Sequence, residues 1–310
     1  TQSPIVFVQQ LGRGLRKAEG KEFVVIIDFI GNYKNNFMIP IALSGDRSYN
    51  KDTLRKYVVE GNRVIPGSST IHFDEVTRKR IYESIDVSNF NDVRIIKESY
   101  KQLKFKLGRI PSLIDFEEHG EIDAIRIFEN KSLGTYYKFL TKYEKDYTIR
   151  ISKQAEKYLE YISKKFASGK RVHELQMLKR IITYKQGLLK ILGQDLQENY
   201  GILMNEATRK NIVNVFTNEF ATGSGESTYE DCIFIEQEAD DYKINSLLNK
   251  ELQDVNFLNM VIELVEFGFY KNQTYYNNPY LNTSFQLYKK YTYEDVCRLL
   301  EWEKAEVALN

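Results

Sequence analysis

Eight residues near the start of the chain have the types and spacing to do chemistry: Gln9-Gln10-Leu11-Gly12-Arg13-Gly14-Leu15-Arg16. On one helix Gln9, Arg13 and Arg16 stand at i, i+4 and i+7, so the three side chains share a face. Arginine is always charged and presents a rigid fork of donors that matches phosphate oxygens. Phosphoryl transfer spreads negative charge over those oxygens, and catalysis is mostly positioning and charge stabilisation. Gly12 and Gly14 each cost a helix about 1 kcal/mol relative to alanine. That cost makes sense where a second domain or a ligand approaches the backbone closely. A solvated basic helix with accidental glycines is the competing reading. The chemistry is also incomplete, because no G-x-x-x-x-G-K-[ST] phosphate loop and no acidic D-E-x-H box occurs in the chain.

A second constellation lies in residues 101–116, Lys-Gln-Leu-Lys-Phe-Lys-Leu-Gly-Arg-Ile-Pro-Ser-Leu-Ile-Asp-Phe. A basic helix ends at Gly108, a tight Arg-Ile turn follows, and Ser112 after Pro111 caps a second short helix. Lys101, Lys104, Lys106, Arg109 and Lys138 can meet phosphates without reading sequence, joined by Lys164, Lys165, Lys170, Arg171 and the pair Lys179-Arg180. The alternative is a packing module with a solvated basic face.

Other residues carry less. His72 with Asp74 and Glu75 lies on a strand end and a helix cap, His119 ends a helix, and His173 sits in a basic helix. The acidic segment Glu236, Glu238, Asp240 and Asp241 reads as solvated, and the tyrosines at 275, 276, 280, 288, 291 and 293 as packing. Cys232 and Cys297 are far apart and read as reduced thiols. No metal site is expected.

These residues need elements to hold them. Ser3 and Pro4 start a helix that runs to about Ala18, and Gly20 ends it. The apolar run from Glu22 to Asp28 has the length of a strand covered on both faces of a parallel sheet. One strand has nothing to pair with, so the remaining strands are expected upstream of Thr1. A short helix over about 33–43, a helix over Lys51–Glu60, extended pieces at Arg63–Ile65 and Thr70–Phe73, and a helix over Val76–Ile85 capped by Asp74 follow. Beyond residue 90 the period is helical over about 91–107, 112–119, 121–129, 133–145, 152–167, 172–184, 187–199, 205–220, 241–252, 254–271 and 292–305. Loops fall at 222–226 and 274–283. The fold class is therefore mainly α, with a short α/β stub at the N-terminus.

Composition is ordinary for a globular protein, with 42% hydrophobic and 28% charged residues. Neither a membrane span nor a signal peptide is expected. The net charge of +1 conceals polarity. Residues 1–89 hold 13 Lys/Arg and 10 Asp/Glu, residues 90–190 hold 22 and 13, and residues 191–310 hold 9 and 20, giving +3, +9 and −11. A basic middle suggests a polyanion partner, or a segment that faces the acidic end.

Residues 9–16 fit Q-x-x-G-R-x-x-R, with Ser3-Pro4 and Phe7 before and Phe23–Asp28 after, and the stretch resembles the sixth motif of superfamily 2 helicases. The wider run from Ser3 to Tyr33 looks like bacterial DEAD/DEAH-type helicases that carry a further region after the motor, and the likeness continues loosely to Tyr291–Lys304. The 101–116 layout resembles small "LGxxP(S/T)xxDF" helical modules taken to bind DNA. The resemblance implies a cytoplasmic parent that hydrolyses ATP with Mg, most of the nucleotide site lying in the upstream half of the same polypeptide. Arg13 and Arg16 would then reach the ATP phosphates, with Gln9 and Gly12 alongside, and the partner would be nucleic acid, DNA in the first instance. No cofactor is expected on this chain alone. Domains are expected at 1–45 (end of a RecA-like domain), 46–89 (connector), 90–190 (basic, with the DNA-binding-like module at 100–140) and 191–310 (acidic). A binding or scaffold region without motor activity, and a nuclease companion, are the alternatives. The nuclease is least favoured because no paired nuclease pattern occurs. The missing initiator Met suggests a piece of a longer or trimmed chain.

Overall fold

The computed structural model describes residues 8–9, 11–13, 16, 25–27, 36–60, 71–88, 92–219, 228–276, 285 and 291–300. Within them the chain is mainly α-helical, and the only strands are one antiparallel pair. It divides into two compact units, Thr1–Asn130 and Lys131–Asn310, so the basic middle of the sequence has a part in each.

In the first unit, α1 is Met38–Ser44. It begins later than the expected 33–43, and the reason is Pro40. A start at Met38 puts the proline in the first turn, where its missing N–H would have had no partner. Gly45, at φ 69°, ends the helix and donates to the Ile41 carbonyl. Helix α2, Lys51–Glu60, is started by Asn50, whose side chain accepts from the N–H groups of Asp52 and Thr53. Helix α3, Glu75–Val87, is capped by Asp74 as expected. Helices α2 and α3 pack together, burying Leu54, Tyr57 and Val58 on one and Ile81 and Ile85 on the other. Helix α4, Val93–Leu107, buries Ile96, Ser99, Tyr100 and Leu103, one stripe at helical spacing. Helices α5, Leu113–His119, and α6, Ile125–Glu129, complete the unit. Arg47 ties the loop before α2 to them by donating to the carbonyls of Glu117 and Phe116 at the end of α5.

The second unit runs through α7 (Tyr136–Tyr143), α8 (Lys153–Lys165), α9 (Val172–Thr183), α10 (Leu188–Tyr200) and α11 (Glu206–Phe216). Strands β1, Ile235–Glu238, and β2, Asp241–Ile244, then form a hairpin with Ile235 opposite Ile244. Helices α12 (Ser246–Glu251), α13 (Val255–Lys271) and α14 (Tyr293–Leu299) follow, with a π turn at Asn272–Tyr276. The expected helix over 241–252 is thus corrected: its first four residues are β2. They alternate in facing, and their ladder partner lies in β1, outside any local helical window. An aromatic cluster of Tyr158, Tyr161, Phe166, Phe216 and Phe234 fills the core. Both tyrosine hydroxyls reach backbone carbonyls, Tyr158 that of Ile233 at 2.8 Å and Tyr161 that of Val215 at 2.9 Å. Helix α9 packs on α10 and α13. Gly268 on α13 leaves room for Leu175, whose Cδ2 would lie 2.5 Å from an added Cβ.

Candidate nucleic-acid interface

The turn between α4 and α5 is built by charge and capping together. Gly108, at φ 69°, lets α4 stop and donates to the Lys104 carbonyl. Ser112 and Asp115 then form a capping box at the start of α5. Arg109 holds the same carboxylate in a fork, Nη1 to Oδ2 at 2.6 Å and Nη2 to Oδ1 at 2.9 Å. Burial works to raise the pKa of Asp115, but the hydrogen bonds from Arg109 and Ser112 outweigh it and hold the carboxyl below its usual value. Arg109 therefore shapes the turn from a half-exposed position. Lys106 lies close to the carbonyl at the end of α5, its Nζ 3.4 Å from the His119 oxygen. Lys104 is half-buried, and Lys101 is exposed with no carboxylate partner among the described residues.

Between Lys104 and Lys106 stands Phe105, with 91% of its surface exposed. A signal of this exposure existed in the sequence, since the buried stripe 96-99-100-103 leaves position 105 on the opposite, polar side of α4.

The remaining cations expected to meet phosphate belong to the second unit, and most face carboxylates. Lys138 pairs with Glu156 at 3.8 Å and Arg171 with Glu174 at 3.3 Å. Lys164 pairs with Glu160, which also accepts from the Tyr229 hydroxyl at 3.0 Å. Burial pushes the Glu160 carboxyl up, and these partners more than offset it, leaving it lowered. Glu174, in contrast, is raised by burial despite Arg171. Lys157 reaches Asp231 at 3.2 Å, and Arg180 forks onto Asp195, so part of the basic segment does meet the acidic one. Lys165 and Lys170 are exposed without a carboxylate partner among the described residues.

In the motif, residues 8, 9 and 11–13 are helical, and Gln9, Gly12 and Arg13 are exposed. Arg16 is exposed but not helical. The shared helical face therefore holds for Gln9 and Arg13 and does not extend to Arg16, in keeping with the low helix propensity of the two glycines. A Cβ on Gly12 would meet no atom within 4 Å. Val25, Ile26 and Ile27, expected in a buried strand, are neither in a strand nor buried, at 74%, 44% and 76% exposure. Among the described residues the only ladder joins β1 to β2, and none includes Val25–Ile27. Gln10, Gly14, the outer parts of that run, the extended piece at 63–65 and the loops at 222–226 and 277–283 lie outside the described residues.

No group of three His, Cys, Asp or Glu side chains placed to hold a metal ion occurs among the described residues. His72 is exposed, and Asp74 beside it is occupied in capping α3. His173 is buried, and burial with nearby Arg171 pushes its pKa down to about 4. Glu236 and Glu238 flank Lys243 across the hairpin at 3.6 and 3.2 Å. Asp241 accepts from the N–H groups of Leu189 and Lys190 at the start of α10. The acidic segment is thus a structural seam. Tyr275 lies under the Lys271 ammonium at 4.8 Å. Both cysteines are free and buried, and burial pushes the Cys232 thiol up to about 12.

No helix among the described residues is long and apolar enough to cross a membrane. No curated protein is significantly similar to the chain in sequence. A family model described as "Domain of unknown function (DUF8090)" matches residues 96–277, from within α4 to just past the π turn. That is more than half of the 310 residues, and the chain belongs to this family.

Proposed function

We propose that the chain is the carboxy-terminal part of a cytoplasmic, ATP-dependent nucleic-acid helicase or translocase of superfamily 2. One observation carries the reading: the motif Gln9-x-x-Gly12-Arg13-x-x-Arg16, followed by the apolar run 22–28. Its four named residues are exposed, and the space beside Gly12 is open to an approaching domain. Two guanidiniums and an amide suit the phosphate end of ATP. On this reading Arg13 and Arg16 supply only the charge-stabilising side of the site; the magnesium ligands and the phosphate cradle are proposed to be supplied by another part of the same polypeptide. ATP with Mg supplies the phosphoryl group there, while Arg13 and Arg16 stabilise the charge that develops on it.

Nucleic acid, with DNA as the first choice, meets the basic face of the α4 turn in the first unit through Lys101, Lys104 and Lys106; in the second unit, taken by itself, the exposed Lys165 and Lys170 are the cations open to phosphate. Arg109 holds the turn in shape. In the polypeptide that includes the upstream half, Arg13→Ala or Arg16→Ala lowers kcat on the order of 10³-fold, with a smaller change in ATP affinity. Near wild-type turnover in both variants would remove the assignment.

A second reading, a nucleic-acid-binding or scaffold region with no motor activity, has its own observation. The family match begins at residue 96, beyond the motif, and includes the basic turn. It forecasts nucleic-acid binding that neither ATP nor Arg13→Ala alters.

A further inference from the structure

Phe105 is the most exposed large apolar side chain of the described residues, at 91%. It lies in the last turns of a fifteen-residue helix whose other face is fully used in the core. Lys101 precedes it by one turn on the same face, and Lys104 and Lys106 flank it. Just beyond, the backbone is fixed by the Arg109–Asp115–Ser112 knot, so the ring is presented from a rigid element. The carboxylate closest along this face is Glu98, two turns back, which faces Gln102 at 3.5 Å.

A lone flat ring among cations is poorly suited to a protein partner. Protein hot spots sit in apolar surroundings that exclude water, and among the described residues of α4 no other large apolar side chain is exposed beside Phe105. It does suit a polyanion that offers flat apolar faces. In a duplex those faces are already stacked on one another, whereas a single strand leaves them available.

We infer that Phe105 is a stacking platform for one unpaired base of a nucleic-acid strand, the flanking phosphates lying against Lys101 and Lys106. This rests on the proposal that the basic turn meets nucleic acid, and it specifies the form recognised: single-stranded, without sequence preference.

The test is a fluorescence anisotropy titration of the full chain against labelled oligo-dT and a hairpin duplex, each at two salt concentrations. Phe105→Ala should weaken oligo-dT binding roughly 5- to 100-fold, the range that loss of a stacking ring gives. Its salt slope should stay unchanged and duplex binding should barely move. Phe105→Trp should restore affinity, and its emission should be quenched by the strand. The double variant Lys101→Gln, Lys106→Gln should weaken both ligands and flatten the slope by about one unit per lost contact. Wild-type affinity in Phe105→Ala beside a loss in the lysine variant would overturn the stacking inference and leave the nucleic-acid reading intact. Equal losses on strand and duplex would also overturn it. If the wild-type chain bound neither ligand at low salt, both proposals would fall. A thermal melt of each variant should match wild type, because the ring is exposed; a lowered melt of Phe105→Ala with Phe105→Trp still unable to bind would count against the inference.

Discussion

Two basic segments, the α4–α5 turn and the α8–α9 connection, have similar compositions and opposite fates. Each ends a helix in lysines and passes through a glycine in the left-handed region, Gly108 at φ 69° and Gly169 at φ 70°. Around Gly108 there is open space. Gly169 lies against α13: an added Cβ would collide with the Gly268 carbonyl oxygen and come within 2.8 Å of the Asn272 nitrogen. Asn272 also donates its side-chain amide to the Gly169 carbonyl at 2.7 Å. In the first segment the one fork-shaped cation is spent on an internal carboxylate, leaving lysines and a ring outside. In the second, Lys164 and Arg171 are matched by Glu160 and Glu174, and Lys165 and Lys170 are left exposed. A count of positive residues therefore measures available charge poorly; what matters is which carboxylates the fold brings to them.

The glycines give the sharpest way to break this comparison. Gly169→Ala should cost about 3 kcal/mol or more, adding overpacking to the left-handed backbone penalty. Gly108→Ala carries only the backbone penalty, about 1 kcal/mol. Equal losses in urea denaturation would mean that the α8–α9 connection is not clamped as described.

Acid comes next. His173, in the second segment's helix, has its pKa lowered to about 4 by burial and Arg171. A depressed histidine favours the neutral form, so its contribution is complete above the unfolded value near 6.5 and is lost as pH falls toward 4. The loss is up to about 3 kcal/mol. Glu174, raised by burial, runs the opposite way and offsets part of it. His173→Gln should flatten stability between pH 6.5 and 4; an unchanged profile would assign the acid sensitivity elsewhere.

The smallest effects belong to the paired cations. Lys138→Gln and Lys164→Gln should each cost less than about 1 kcal/mol, as half-exposed ion pairs do. They should also leave the salt dependence of nucleic-acid binding unchanged. A slope flattened as much as by Lys101→Gln would show that these pairs open to phosphate, and the distinction between the two segments would disappear.

Helices were legible because their signals are local. Asp74, Asp92, Ser112, Thr135, Ser152, Asn205, Asp254 and Thr292 each accept a backbone N–H at the start of a helix, and the apolar period carries the rest. The hairpin was not legible. Its two-residue link, Ala239-Asp240, lacks the usual turn pair, and Ala239 adopts φ 51° without a glycine. Ion pairs divide in the same way: Glu160–Lys164 is an i,i+4 pair visible in the sequence, whereas Lys157–Asp231 and Arg180–Asp195 join separate elements.

The sequence by itself determined the helical class, the caps, the basic turn and the arginine motif, because periodicity, capping and residue chemistry act over a few neighbours. Only the tertiary structure decided that Arg109 serves Asp115 and that Gly169 is closed while Gly108 is open. Those outcomes depend on which distant atoms arrive within a few ångströms, and burial and pairing energies are set there.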